Sequence, residues 1–209
     1  MNILKREYLL KKKIKERIQE SLKFCKGDLL DIGCGDKPYF SLISPSIDNY
    51  IGLEHLSQKR RFGKSIEIYG DALDLPFKKN NFDTVICFEV LEHLENPFLF
   101  FDQAFKVLKP GGYLLLSTPQ TYQVHDEKDF FRFTEKGLKL LCRKSGLKPL
   151  RVMPIGNFLM RLGVKANYFL SSKPKILSFF LIPFLNVVFD KVSRDSILEP
   201  CNNFLIARK

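Results

Sequence analysis

Several features that would direct a reading are scarce or missing in this 209-residue chain. Its five cysteines, Cys25, Cys34, Cys87, Cys142 and Cys201, are scattered and never form a C-x-x-C pair. That argues against a disulfide framework or a zinc site, and for a reducing, cytoplasmic compartment with no metal. No secretory signal is visible, because "MNILKREYLLKKKIKER" is charged throughout. The most apolar stretch, Ile176 to Phe189, has fourteen residues, whereas a helix spanning a bilayer needs about twenty. Internal repeats and low-complexity tracts are absent, and the 45% hydrophobic and 27% charged content is that of a folded globular protein.

What is present begins with charge. Residues 1–26 hold nine Lys/Arg against three acids, and residues 146–209 hold ten against three. The middle of the chain, 27–145, holds fifteen against seventeen, so the net +11 sits at the two ends. Basic ends can dock on phosphate-rich partners such as anionic lipid, a nucleotide-linked substrate or nucleic acid.

Apolar residues at Ile3, Leu4, Tyr8, Leu10, Ile14, Ile18 and Leu22 have helical spacing and predict one basic amphipathic helix over 3–24. Strand-like and helix-like segments then alternate. Strands are expected in "DLLDIG", "YIGLEHL", "SIEIYGDA", "FDTVICFEV", "GGYLLLSTP", "LKPLRVMPI" and "NFLIAR". Helices are expected over 97–108, with Pro97 in the first turn, and over 134–144, with Thr134 as cap and Gly146 past the end. The pattern predicts an α/β fold with a seven-stranded, mostly parallel, Rossmann-like sheet flanked by helices. Four segments follow: a basic N-terminal helix (1–26), a ligand-binding core (27–155), an apolar helical insertion (156–199) and a final core strand (200–209). The insertion reads as a helix pair bent near Pro183, serving as a lid or facing a membrane.

The first strand ends in "LLDIGCGDKPYF", and in open parallel sheets ligands bind beyond such strand ends. Pro38 stands where the last glycine of a G-x-G-x-x-G dinucleotide loop would be, and no Gly-Lys-Ser/Thr of a P-loop follows. Three acids at successive strand ends are more informative. Glu54 is placed to accept both hydroxyls of a ribose, and Asp71 to meet the amine of an adenine under Leu73 and Leu75. Asp31 is placed to receive an ammonium. Adenine, ribose and a zwitterionic tail without phosphates are combined in S-adenosylmethionine, whose cationic sulfonium suits an acid-lined pocket.

"LLDIGCGDKPY", "GLEHL", "GDALDLPFKKNNFDTVICFEVLEHLENP" and "LKPGGYLLLSTP" resemble, in order and spacing, the motifs of class I S-adenosylmethionine-dependent methyltransferases of the small-molecule, methyltransferase 11-like type. The resemblance spans about residues 27–155 and the terminal strand. Lys37 departs from it, standing where a third loop glycine is common. The resemblance implies cofactor contacts at Asp31, Gly33, Cys34, Gly35, Glu54, Asp71 and Ala72, and at Phe88 and Glu89 after the fourth strand.

A hydroxyl acceptor needs a base near the methyl group. His93 in "EVLEHL", four residues after Glu89 and so sharing its helix face at the mouth of the fourth strand, is the first candidate; His125 in the loop after the fifth strand is the second. His55 is expected at the adenosine end. Arg132, between aromatic residues, is a candidate clamp for an acceptor phosphate or carboxylate, or else a salt-bridge partner of Asp129 or Glu135. The segment 129–147 is similar to one in methyltransferases of cell-envelope sugar and lipid biosynthesis. A small or lipid-linked acceptor is therefore expected, with a possible anionic membrane surface as partner and a cytoplasmic or inner-face peripheral location. An RNA or protein acceptor is the alternative, although no RNA-binding module is recognisable. A non-catalytic cofactor-binding or scaffold protein is the other.

Overall fold

A computed structural model of the chain describes residues 5, 7–124, 126–172 and 175–209. Period-two alternation builds its centre. In β4 (Phe82–Phe88), Val85 and Cys87 join one core cluster with Leu30, Ile32, Leu114 and Leu116. Ile86 joins the other, with Leu29, Leu115 and Ile206. The remaining strands are β1 (Asp28–Ile32), β2 (Asn49–Glu54), β3 (Ile68–Tyr69), β5 (Leu108–Pro119), β6 (Lys148–Ile155) and β7 (Asn202–Arg208). They form one seven-stranded sheet in the order β3-β2-β1-β4-β5-β7-β6. Pairing is parallel from β3 to β5, while β7 runs antiparallel to both β5 and β6. The expected α/β sheet is present.

Helices cover both faces. α4 (Pro97–Val107) and α5 (Glu135–Lys144) bury Phe100, Phe101, Ala104, Leu138 and Leu141 on one side. Asn96 caps α4 by accepting from the Leu99 N–H at 3.1 Å, and Thr134 caps α5 through the Gly137 N–H at 3.2 Å. On the other side, α1 (Tyr8–Ser21) buries Leu10, Ile14 and Ile18 beside Met160 and Val164 of α6 (Phe158–Ser171). The N-terminal helix is thus a core element, and a 3₁₀ turn, Leu22–Phe24, continues it; residues 3, 4 and 6 of its expected 3–24 span lie outside the described residues. Two single-turn helices, α2 (Phe40–Ile43) and α3 (Lys59–Phe62), flank the ligand-facing edge.

The insertion is helical but does not break where expected. Pro183 lies inside α7 (Lys175–Val192), and the reversal falls between α6 and α7. A proline removes one backbone hydrogen bond, but the turns on either side of it are anchored by packing. Ile182 and Asn186 are buried, and Phe189 fits against Gly163, where even a Cβ would come within 2.5 Å of its ring. Asn167 donates to Asn186 at 2.7 Å, clasping the two helices. No helix among the described residues is long and apolar enough to cross a membrane.

Candidate active site

β1 and β4 are neighbours although β2 and β3 intervene in the chain, so the strand order reverses there and opens a crevice at their C-terminal ends. The loop after β1 enters it with Gly33 at φ +71° and Gly35 at φ +52°. A Cβ on Gly33 would lie 2.3 Å from the Val90 side chain, so the tight approach of the two loops requires glycine. The Gly33 and Cys34 N–H groups both donate to the Leu53 carbonyl, at 2.8 and 3.2 Å.

The strand-end acids are held differently from one another. Glu54 ties the loops together: one carboxylate oxygen accepts from the Gly35 N–H at 2.9 Å and the other from the His55 N–H at 2.8 Å. Each oxygen keeps a further lone pair for a hydroxyl donor. Asp31 is buried and receives the Tyr50 hydroxyl. Burial pushes its carboxyl up to about 7, the Tyr50 hydrogen bond opposing this and the nearby Glu54 charge adding to it. Asp71 is exposed and accepts from the Leu73 N–H at 2.8 Å, which closes a turn that presents Ala72 to the crevice. The Cys34 thiol is pushed up to about 12, chiefly by burial, and is an inert wall.

Glu89 stands at φ +57°, an uncommon conformation for a residue with a side chain, just after β4. Its carboxylate accepts from Ser117 Oγ and from Asn202 Nδ2, both at 2.7 Å. Burial still raises it to about 7, since those two bonds offset only part of the desolvation. The turn at Glu89 also removes the helical face expected to join it to His93, which lies in a 3₁₀ turn, Leu91–His93. The His93 Nδ1 is 2.7 Å from the Lys128 carbonyl, which can only accept, so Nδ1 carries the proton and Nε2 is the basic nitrogen. His125 lies outside the described residues.

Two cavities open onto this edge and share Gly33, Gly35, Arg61, Phe62 and Glu89. The larger, about 650 Å³, is bordered by Glu54, His55, Asp71, Ala72, Leu73 and His93. The smaller, about 310 Å³, is bordered by Asp31, Cys34, Tyr39, Phe88 and Tyr122, with Leu10 and Ile14 of α1 and Tyr168 of α6. His93 therefore borders the larger cavity and not the smaller. Arg132 lines neither: its guanidinium is held by Asp129, with Nε donating to the Tyr122 carbonyl at 2.8 Å. The salt-bridge reading describes Arg132, and Glu135 pairs with Lys139 instead. Sequence reasoning missed Tyr39, Tyr122, Tyr168 and Arg61, along with Asn202. Tyr39 and Tyr122 carried a signal, their places in the loops after the first and fifth strands. Among the described residues no cluster of His, Cys, Asp and Glu could hold a metal ion.

A family profile described as a methyltransferase domain matches residues 4–152. A Mycolicibacterium smegmatis protein described as a probable S-adenosylmethionine-dependent methyltransferase is 35% identical over 101 residues, covering 46% of this chain and 39% of that protein. A ubiquinone biosynthesis O-methyltransferase of Nitrobacter winogradskyi is 31% identical over 100 residues, 43% of this chain and 38% of that protein. Among solved structures, a SAM-dependent methyltransferase from Archaeoglobus fulgidus superposes with a TM-score of 0.64 at 18% identity, over 97% of each chain. The chain belongs to the methyltransferase-domain family, and its fold is that of the class I S-adenosylmethionine-dependent enzymes. It spans about two-fifths of the length of these curated relatives.

The residues present fit that family's cofactor. The crevice offers acids to hydroxyl and ammonium donors and a glycine loop that a Cβ would obstruct; of its cations, Arg61 borders both cavities, Lys11 the smaller and Lys128 the larger.

Proposed function

We propose that the chain transfers a methyl group from S-adenosylmethionine to a hydroxyl of a small or lipid-linked acceptor, a sugar or another cell-envelope precursor, in the cytoplasm or at the inner face of its membrane. The observation that carries this reading is the meeting of two unlike cavities at Glu89. One is edged by the ribose- and adenine-type acids, and the other is walled by tyrosines, Phe88 and the apolar face of α1.

In this reading Glu54 accepts the ribose hydroxyls, while Asp71, Ala72 and Leu73 frame the adenine. Asp31 faces the ammonium, and the Gly33–Cys34–Gly35 backbone allows the close approach. Phe88 and Glu89 border the transfer point. When bound, the cofactor supplies a methyl group on a cationic sulfur for in-line transfer. Asp31 and Glu89 place negative charge around that sulfur. His93 Nε2 takes the acceptor proton, its ring oriented by the Lys128 carbonyl. His125 is the reserve candidate.

The O-methyltransferase among the relatives supports a hydroxyl acceptor. The basic ends favour nucleic acid less than their charge suggests. On α1, Lys11 pairs with Glu7, Lys12 with Asp190, Lys13 with Glu16 and Arg17 with Glu20 and Asp195. The test is incubation of the protein with methyl-labelled cofactor and fractionated host extract. Label in the lipid or sugar fraction supports the reading, and label in RNA or protein replaces its acceptor.

A further inference from the structure

α7 is apolar on two opposite sides, and the described residues cover only one of them. Ile182, Asn186 and Phe189 face α6 and α1. One hundred degrees per residue places Phe180, Phe184, Val187, Val188 and Val192 together on the other side. Phe180 is 67% exposed and Phe184 61%, and Phe179 beside them is also exposed. A helix that is hydrophobic all round belongs in a protein interior or in lipid. Among the described residues no protein surface covers this stripe, and no helix is long and apolar enough to span a bilayer.

The surrounding charge selects the occupant. Lys191 falls on the stripe itself, with Arg194 just beyond α7 and Lys165 exposed on α6. The sequences of α6 and α7 contain a single acid, Asp190, and it is neutralised by Lys12. Asp195, which follows, is likewise engaged by Arg17. A second copy of the chain would bring another set of cations to the same face.

We propose that the outer face of α7 docks on an anionic lipid bilayer, with Phe180 and Phe184 entering the acyl boundary and Lys191 and Arg194 at the headgroups. This rests on the lipid-linked branch of the proposed function and gives it a surface. α6 carries Tyr168 into the smaller cavity while Phe169 beside it is 63% exposed, so the wall of that cavity and the docking face belong to one helix pair.

The test is flotation of the full chain with vesicles of phosphatidylcholine alone and of phosphatidylcholine with phosphatidylglycerol. The chain should float with the anionic vesicles. The variants F180S/F184S and K191E/R194E should each lower the bound fraction by about tenfold or more, with unchanged circular dichroism and cofactor affinity. Because the sequence contains no tryptophan, F184W gives a single-site reporter, whose emission should shift to the blue on anionic vesicles. Flotation of F180S/F184S equal to that of the parent chain overturns the proposal. So does failure to float with either vesicle: light scattering then shows whether a second copy covers the face, and a monomer leaves it to a protein partner. Calorimetry with S-adenosylmethionine on the same samples separates the two readings. Intact cofactor binding without flotation removes the docking face alone, and flotation without cofactor binding removes the methyl-transfer reading alone.

Discussion

The side-chain amide of Asn202 donates to Oε2 of Glu89 at 2.7 Å, joining the last strand to the turn after β4 across 113 residues. The bond supports a carboxylate in a conformation that few side-chain-bearing residues adopt, between two cavities. Asn202→Ala should destabilise the fold by about 1–3 kcal/mol, the usual cost of removing one partner from a buried polar pair. It should also raise the Glu89 carboxyl further, because a donor to the ionised form is lost. Thermal melts and a pH series on the variant measure both effects.

Glu54 has a structural duty besides the one toward the cofactor, since it accepts backbone N–H groups from both Gly35 and His55. Glu54→Ala should weaken S-adenosylmethionine binding by about 2 kcal/mol through the lost ribose bonds. Unchanged affinity by calorimetry would remove Glu54 from the cofactor site.

For His93 the expected effect is on rate. His93→Ala should lower turnover by roughly 10²–10⁴-fold and leave the cofactor dissociation constant nearly unaltered. Near-normal turnover in a labelled-methyl assay would transfer the role to His125 or to positioning alone.

Asp31 and Glu89 predict a pH dependence with a definite sign. Both carboxyls lie at about 7 in the folded chain, above ordinary values of 3.8 and 4.5. The fold therefore binds their protons more tightly than the unfolded chain does, so their contribution to stability is fullest in acid. It is lost as pH rises from about 4 through 7. Asp31→Asn should gain stability relative to the parent across that window. Cations in the crevice favour the ionised carboxylates, so cofactor binding near pH 7 should release protons and at pH 9 should not. Calorimetry in two buffers of different ionisation heat reads the difference.

Much of this architecture was legible because its signals are local. Alternating apolar residues marked the strands, Thr134 and Pro97 marked helix starts, and the strand-end acids, with the glycines after the first of them, marked the crevice. The rest depends on relationships that a linear reading does not carry. Pro183 looked like a break because the packing of Phe189 on Gly163 was not visible. Glu89 and His93 looked like helix neighbours because nothing local announces a positive φ at a glutamate. Arg132 fitted a ligand clamp equally well until Asp129 was found to hold it. Tyr168 reaches the smaller cavity from a segment that follows no strand-end rule.

β7 follows both β5 and β6 in the chain, yet it lies between them in the sheet. Until β7 has been synthesised, then, the outer edge of β5 from Tyr113 to Pro119 lacks its neighbour, and Leu114, Leu115 and Leu116 lie along that open border. Unpaired apolar edges invite pairing with other chains. Seven residues of β7 end that exposure and, through Asn202, deliver the last support to Glu89. A nascent chain stalled before residue 202 would therefore be both sticky and without its completed crevice, so aggregation and maturation compete until β7 has paired.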